Sequence, residues 1–279
     1  MMAKILSGKE LSEKLLIKQA EEVAQLKQKG IVPGLVVILV GEDPASQIYV
    51  RNKMRACEKV GIYSETIRLE ENTSEEKLIE VIDRLNSDEK INGILVQLPL
   101  PRHIDDQNVL MRILPEKDVD GFHIANAGKL FTGQKSMLPC TPKGIMYMLD
   151  DAKIVFEGKN AVVIGRSNIV GKPIAMLLLN RNCTVTICHS RTQNLSEFTK
   201  HADILVAAVG KAKFVTADMV KKGAVVVDVG INRVDGKVVG DVDFEPVSEV
   251  AGYITPVPGG VGKMTISMLI QNTIEAAKA

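Results

Sequence analysis

The stretch Asn160-Ala161-Val162-Val163-Ile164-Gly165-Arg166-Ser167-Asn168-Ile169-Val170-Gly171 joins a short apolar run to a loop bounded by glycines. The run reads as a buried strand, and the loop falls where the first turn of a following helix would lie. Backbone N–H groups and the helix dipole at such a junction can meet a dinucleotide pyrophosphate. The spelling Gly-x-Ser-x-x-x-Gly departs from the usual GxGxxG, and a loop of this kind also serves as a plain strand-to-helix turn. Its context favours the cofactor reading. Val185 to Cys188, Ile204 to Ala208 and Ala224 to Val229 are further short apolar strands, separated by stretches long enough for helices. The pattern predicts a doubly wound, Rossmann-like half.

N-terminal to it the chain reads as a second α/β half. Leu15, Leu16, Ala20, Val23 and Leu26 recur at helical spacing up to Gly30, and Leu35 to Val40 is an unbroken apolar run suited to a buried parallel strand. Pro44 opens a helix that runs to Gly61, and a short strand follows near Thr66 to Leu69. Thr73 with Glu76 makes a capping box for a helix through Leu85, and a third strand, Ile94 to Leu98, stops at Pro99. The segment Leu114 to His123 carries prolines, glycines and charges without periodicity, and reads as an ordered loop between the halves. Thr141 caps a helix beginning at Pro142. Met264 to Lys278 is an amphipathic helix behind a Pro/Gly-rich turn that can carry the chain back to the first half. The expected domains are therefore 1–140 plus 260–279, and 141–259.

The 279 residues suffice for two α/β domains with a real core. With 35 basic and 34 acidic side chains mixed along the length, there is no electrostatic footprint for nucleic acid, so a small-molecule partner fits better. No run approaches the roughly 20 apolar residues of a membrane span, which makes a soluble cytoplasmic protein the expectation. Cys57, Cys140, Cys183 and Cys188 lack CxxC spacing and read as reduced thiols without zinc.

NAD and NADP are told apart at the end of the second strand of such a half, where a carboxylate would repel a 2′-phosphate. Here that strand ends in Cys188-His189-Ser190-Arg191-Thr192. With Arg166, Ser190 and Arg191 as donors and no carboxylate, NADP is favoured; the other reading of Arg191 is a solvated loop charge.

In the N-terminal half, Tyr49 and Lys53 are four apart and so share a helix face that can look toward Gln97. A lysine near a phenol and an amide can shuttle protons, a role that burial in an apolar cleft favours. Most YxxxK matches, however, are ordinary amphipathic helix. Asp118 and Asp120 lie in a loop bracketed by Pro115 and Gly121; one carboxylate there could take two N–H bonds from a heteroaromatic amine such as a pterin, or either could simply cap a turn. Pro256 to Gly260 offers a rigid surface poor in side chains on which a flat ring could lie, or a turn between domains. Gly262-Lys263 ends like a P-loop, but Val257 takes the place of the first glycine and Met264 that of the magnesium-binding Ser or Thr.

Together these segments resemble the bifunctional methylenetetrahydrofolate dehydrogenase/methenyltetrahydrofolate cyclohydrolase family over nearly the whole chain. The matching segments are Pro44 to Val50 with Lys53, Gly93 to Pro101, Lys117 to His123, Pro139 to Pro142, Gly165 to Lys172, Asp228 to Asn232, and Thr255 to Gly262. Lys263 departs from the proline common there. The resemblance implies oxidation of 5,10-methylenetetrahydrofolate with NADP, then hydrolysis of the 5,10-methenyl cation to 10-formyltetrahydrofolate. It makes Lys53 the general acid/base, with Tyr49 orienting the folate, Gln97 holding Lys53 and Asp120 binding the pterin. Gly165, Arg166, Ser167, Ser190 and Ile231 would contact NADP, and Pro258, Gly259 and Gly260 would border the folate. It also implies a homodimer joined through the nucleotide domains.

A short-chain dehydrogenase, the rival with a YxxxK pair, is rejected by order, because its pair follows the glycine loop. A dehydrogenase-only member, or a folate- and NADP-binding protein without catalysis, remains the alternative; the presence of Lys53, Gln97 and Asp120 speaks against the latter.

Overall fold

The computed structural model describes residues 2–279. In chain order the elements are β1 (Lys4–Ile5), α1 (Gly8–Gln28), β2 (Gly34–Val40), α2 (Pro44–Val60), β3 (Tyr63–Leu69), α3 (Glu75–Asn86), β4 (Gly93–Val96), α4 (Asp106–Arg112), α5 (Ile124–Phe131) and α6 (Cys140–Asp151). They continue as β5 (Asn160–Ile164), α7 (Gly171–Leu179), β6 (Thr184–Cys188), α8 (Leu195–Thr199), β7 (Ile204–Ala207), a 3-10 turn (Ala217–Met219), β8 (Val225–Asp228), β9 (Asn232–Val234), β10 (Lys237–Val239), α9 (Phe244–Val250), β11 (Tyr253–Ile254) and α10 (Val261–Ala276). Two compact units result. One comprises residues 13–140 with 266–279, the other residues 1–12 with 141–265.

The first unit is built on a three-stranded parallel sheet of order β3-β2-β4. Its centre is β2, whose seven residues are all buried, as the continuous apolar run requires of a strand flanked on both edges and covered on both faces. Val36, Ile38 and Val40 pack with Leu78 and Ile82 of α3 and with Ile94 and Val96 of β4. Each such side chain contributes about 1.5–3 kcal/mol on leaving water. Asp43 caps α2, accepting from the Ser46 N–H at 2.7 Å with Pro44 in the first turn, and the hydrogen bond from Ser46 holds its carboxyl below the usual carboxylate range. The C-terminal residues are tied in by Gln19, which donates to the Ser267 carbonyl at 2.9 Å.

The second unit has six parallel strands in the order β6-β5-β7-β8-β11-β1. After β5 the chain lays β6 on one side and then crosses to lay β7 on the other, so the topological switch point lies between β5 and β7. Register aligns Ile164 with Cys188 and with Ala207, and Ala207 with Asp228, so the loops that leave these four strands share one edge.

Several sequence expectations are corrected. Residues 1–12, expected with the N-terminal half, belong to the six-stranded unit because β1 pairs with β11; Ala3 also packs in that unit's core. The last passage between units lies inside α10, after Thr265, rather than at 260. Leu114 to His123 is not a connector, for it lies inside the three-stranded unit, where Asp118 bridges Ile94. The cap of α3 is Ser74, whose hydroxyl accepts from the Lys77 N–H, one residue beyond the expected Thr73. Thr141 lies inside α6, its hydroxyl 2.9 Å from that of Thr265. Lys263 lies in the first turn of α10 and donates its N–H to Gly260 O.

Candidate active site

In the three-stranded unit, α2 carries Tyr49 and Lys53 one turn apart, and the end of β4 leads directly into Gln97. The Gln97 N–H continues the β4 ladder by donating to Ile38 O, which fixes its backbone. Its side-chain Nε2 donates to the Leu98 carbonyl at 2.7 Å, leaving Oε1 to accept from Lys53 Nζ at 3.0 Å. The amide is thereby locked as an acceptor facing the amine. Tyr49 is 41% exposed, so its ring is open to a ligand.

Asp118 and Asp120, which loop chemistry alone does not tell apart, have different employments. Asp118 is buried, and its carboxylate accepts from the N–H groups of Phe122 and His123 and from Asn126 Nδ2, at 3.1, 2.8 and 2.9 Å. It is the turn-capping residue. Asp120 instead faces the Lys53 ammonium and the Cys140 thiol. Burial pushes its carboxyl above the usual range, opposed by the positive charge on Lys53 and reinforced by the negative charge on Asp118. Asn272 of α10 supports the loop between them by donating to Val119 O at 2.7 Å and Leu138 O at 2.9 Å.

Asp118→Ala would leave three donors without their acceptor, and is expected to destabilise the protein by about 2–4 kcal/mol. A thermal melt measures this, and an unchanged midpoint would show that the carboxylate does not hold the loop.

In the six-stranded unit, the Gly165 loop lies at the switch point. Gly165 has φ +124°, and a Cβ there would sit 2.2 Å from Ala208 O, so only glycine lets the loops after β5 and β7 approach this closely. Ser167 Oγ accepts from the N–H groups of Val170 and Gly171, capping the start of α7. Arg166, Ser167, Ser190 and Ile231 are exposed on loops from the same sheet edge. A cradle without a side chain, flanked by a guanidinium and hydroxyls, fits a phosphate-bearing dinucleotide. Pro258, Gly259 and Gly260 belong to this unit, where their turn packs on the start of α1: Lys9 N–H donates to Gly259 O at 2.8 Å.

The sequence reading passed over Asp241, a fully buried carboxylate beside this edge, because a single Gly-Asp pair in a loop carries no pattern. It also missed Cys140 as a neighbour of Asp120. The Cys57 thiol, one turn beyond Lys53, is buried and pushed up to about 12 by desolvation, which leaves it unreactive.

Residues 6–120 match the model of the tetrahydrofolate dehydrogenase/cyclohydrolase catalytic domain, and residues 139–279 match that family's NAD(P)-binding domain. A Bacillus cereus protein named bifunctional protein FolD is 60% identical over 279 residues, which cover 100% of this chain and 98% of that protein. The crystal structure of the FolD dehydrogenase/cyclohydrolase of Campylobacter jejuni superposes with a TM-score of 0.98 at 52% identity, covering 99% of each chain. The Trypanosoma brucei FolD structure, complexed with NADP cofactor and inhibitor, gives 0.95 at 38% identity over 100% of this chain and 98% of that one. With both domain models matched in order and relatives alike end to end, the chain belongs to the tetrahydrofolate dehydrogenase/cyclohydrolase family.

Proposed function

We infer that Lys53, held by Gln97 and set beside Asp120, is the proton-transfer group of the hydrolytic step, and that Tyr49 and Asp120 orient the folate. The protein is a bifunctional enzyme of one-carbon metabolism, which oxidises 5,10-methylenetetrahydrofolate to the 5,10-methenyl form with NADP and hydrolyses that product to 10-formyltetrahydrofolate. The observation that carries the residue assignment is the 3.0 Å contact from Lys53 Nζ to an amide oxygen that has no freedom to turn away.

When bound, NADP supplies the two-electron acceptor for the oxidation. The cationic product is then attacked by water at the one-carbon bridge. Lys53 Nζ relays a proton from that water to the departing ring nitrogen, with one proton released overall. Asp120, facing the lysine, has carboxyl oxygens suited to accept N–H bonds from the pterin. Gly165, Arg166, Ser167, Ser190 and Ile231 would hold the cofactor, while Pro258, Gly259 and Gly260 would border the folate.

In this reading the unit of residues 13–140 with 266–279 is the folate-binding domain and the unit of residues 1–12 with 141–265 the cofactor domain. Among the described residues no helix is long and apolar enough to cross a membrane. The near balance of 35 basic and 34 acidic side chains supports a small-molecule partner rather than nucleic acid, and the cytoplasm is the compartment we propose. The outer strand β6 has Ile187 exposed, and Phe198 is exposed on α8, which agrees with a homodimer joined through this sheet.

A two-wavelength trace with 5,10-methylenetetrahydrofolate and NADP tests the reading. NADPH should form with little methenyl accumulation. Methenyl building up in step with NADPH would mean a dehydrogenase-only member, and no NADPH would remove the oxidation altogether.

A further inference from the structure

Asp241 is fully buried, and its carboxylate accepts four hydrogen bonds. Oδ2 accepts from Val209 N at 2.7 Å and Gly210 N at 2.9 Å; Oδ1 accepts from Lys211 N at 2.9 Å and Asn232 Nδ2 at 3.0 Å. Its own position is fixed by a second buried carboxylate. Asp228 accepts from the N–H groups of Asp241, Val242 and Gly230 at 2.8, 2.9 and 2.9 Å. Two glycines make room for the pair: a Cβ at Gly240 would lie 1.8 Å from Asp228 Oδ2, and one at Gly230 would lie 2.1 Å from Asp241 Oδ1. Desolvation pushes the Asp228 carboxyl up to about 6, against the pull of its three backbone donors.

The segments that Asp241 holds are those that leave the switch-point edge. Val209 to Lys211 follow β7, and Asn232 follows Ile231 after β8. Three successive N–H groups aim at the carboxylate, so the trans peptides turn the carbonyls of Ala208, Val209 and Gly210 away from it. The Ala208 carbonyl is the one that closes on Gly165. One carboxylate therefore sets the β7 wall, the β8 wall and, through Ala208, the backing of the glycine loop, without being exposed to a ligand itself.

We propose that Asp241 is a positioning residue for the dinucleotide, one that fixes both walls of the crevice and turns the Val209 and Gly210 carbonyls outward as acceptors for cofactor hydroxyl or amide donors. The proposal rests on the assignment of the cofactor to this edge. Asp241→Asn tests it, because whichever way the amide lies, one side presents NH2 to two donors.

Calorimetric titration of the variant with NADP should show Kd raised at least tenfold, with the KM for NADP raised in parallel. Hydrolysis of added 5,10-methenyltetrahydrofolate, which consumes no NADP, should stay within twofold. Asp243→Asn, on the neighbouring surface and paired with Lys213, should leave Kd for NADP within twofold. A folded Asp241→Asn protein with a lowered melting temperature and unchanged Kd would reduce Asp241 to a structural role and overturn the proposal. If that variant does not fold, Asn232→Ala removes a single donor and should raise Kd severalfold; wild-type affinity there also overturns it. Arg166→Ala separates the two levels of the argument. If it weakens NADP while Asp241→Asn does not, only the positioning role falls; if neither does, the cofactor assignment at this edge falls too.

Discussion

Replacing Lys53 with methionine is expected to lower the hydrolysis of 5,10-methenyltetrahydrofolate by about 10²- to 10⁴-fold, the range supplied by a single positioned acid/base. Methionine keeps the unbranched stem and its packing on α2 but cannot carry a proton. The loss corresponds to about 3–5 kcal/mol of transition-state stabilisation. NADP affinity should hold, because the residues assigned to the cofactor lie in the other compact unit. In a coupled trace, methenyl should accumulate as NADPH forms. Hydrolysis at the wild-type rate would reject Lys53 as the shuttle, and lost NADP binding with hydrolysis intact would show that the lysine serves the other step. Gln97→Ala should move the same way but less far, since it frees the amine from its 3.0 Å partner without removing it.

Gly165→Ala is expected to weaken NADP binding by about 100-fold or more. The new methyl group would meet a backbone oxygen at 2.2 Å in a conformation, φ +124°, that side chains rarely adopt. Strain at such a position costs about 1–3 kcal/mol before the clash is counted. The Ala208 carbonyl is not the tip of a flexible side chain; it belongs to the wall anchored by Asp241, so the glycine loop itself must move. Calorimetry with NADP reads the loss, and hydrolysis of added methenyl substrate reports whether the rest of the protein is intact. Near-normal affinity would mean that the pyrophosphate does not rest on this loop.

Much of this was legible in advance because the informative features are local. Leu35 to Val40 could only be a strand covered on both faces, and the run from Ala161 through Gly171 fixes a strand, a turn and a helix start by chemistry within a dozen residues. The Tyr49–Lys53 spacing likewise needs only helix geometry, although its partner Gln97 was reached by resemblance and by the strand ending beside it.

What the residues themselves left open or misjudged depends on partners distant in the chain. β1 is two residues long and becomes a strand only because β11 offers it an edge. Asp118 and Asp120 differ through Asn126 and Lys53, which their own loop does not reveal. Thr73 and Ser74 are adjacent hydroxyls, and the choice between them rests on where the helix begins, with Ser74 extended and its hydroxyl accepting from the Lys77 N–H. Asp241 gains its meaning from N–H groups some 30 positions earlier.

The exchange of chain ends between the units bears on how the molecule comes into being. The six-stranded sheet takes its edge strand β1 from Lys4 and Ile5, ahead of the whole three-stranded unit in sequence, while that unit takes Asn272, which braces the loop of Asp120, from beyond the six-stranded one. A ribosome that has released residues 1–140 has delivered Lys53, Gln97 and Asp120 but not the helix that braces the loop of Asp120. Neither half is therefore a separable cassette: a gene cut between residues 140 and 141 would strip a strand from one product and the brace of the Asp120 loop from the other.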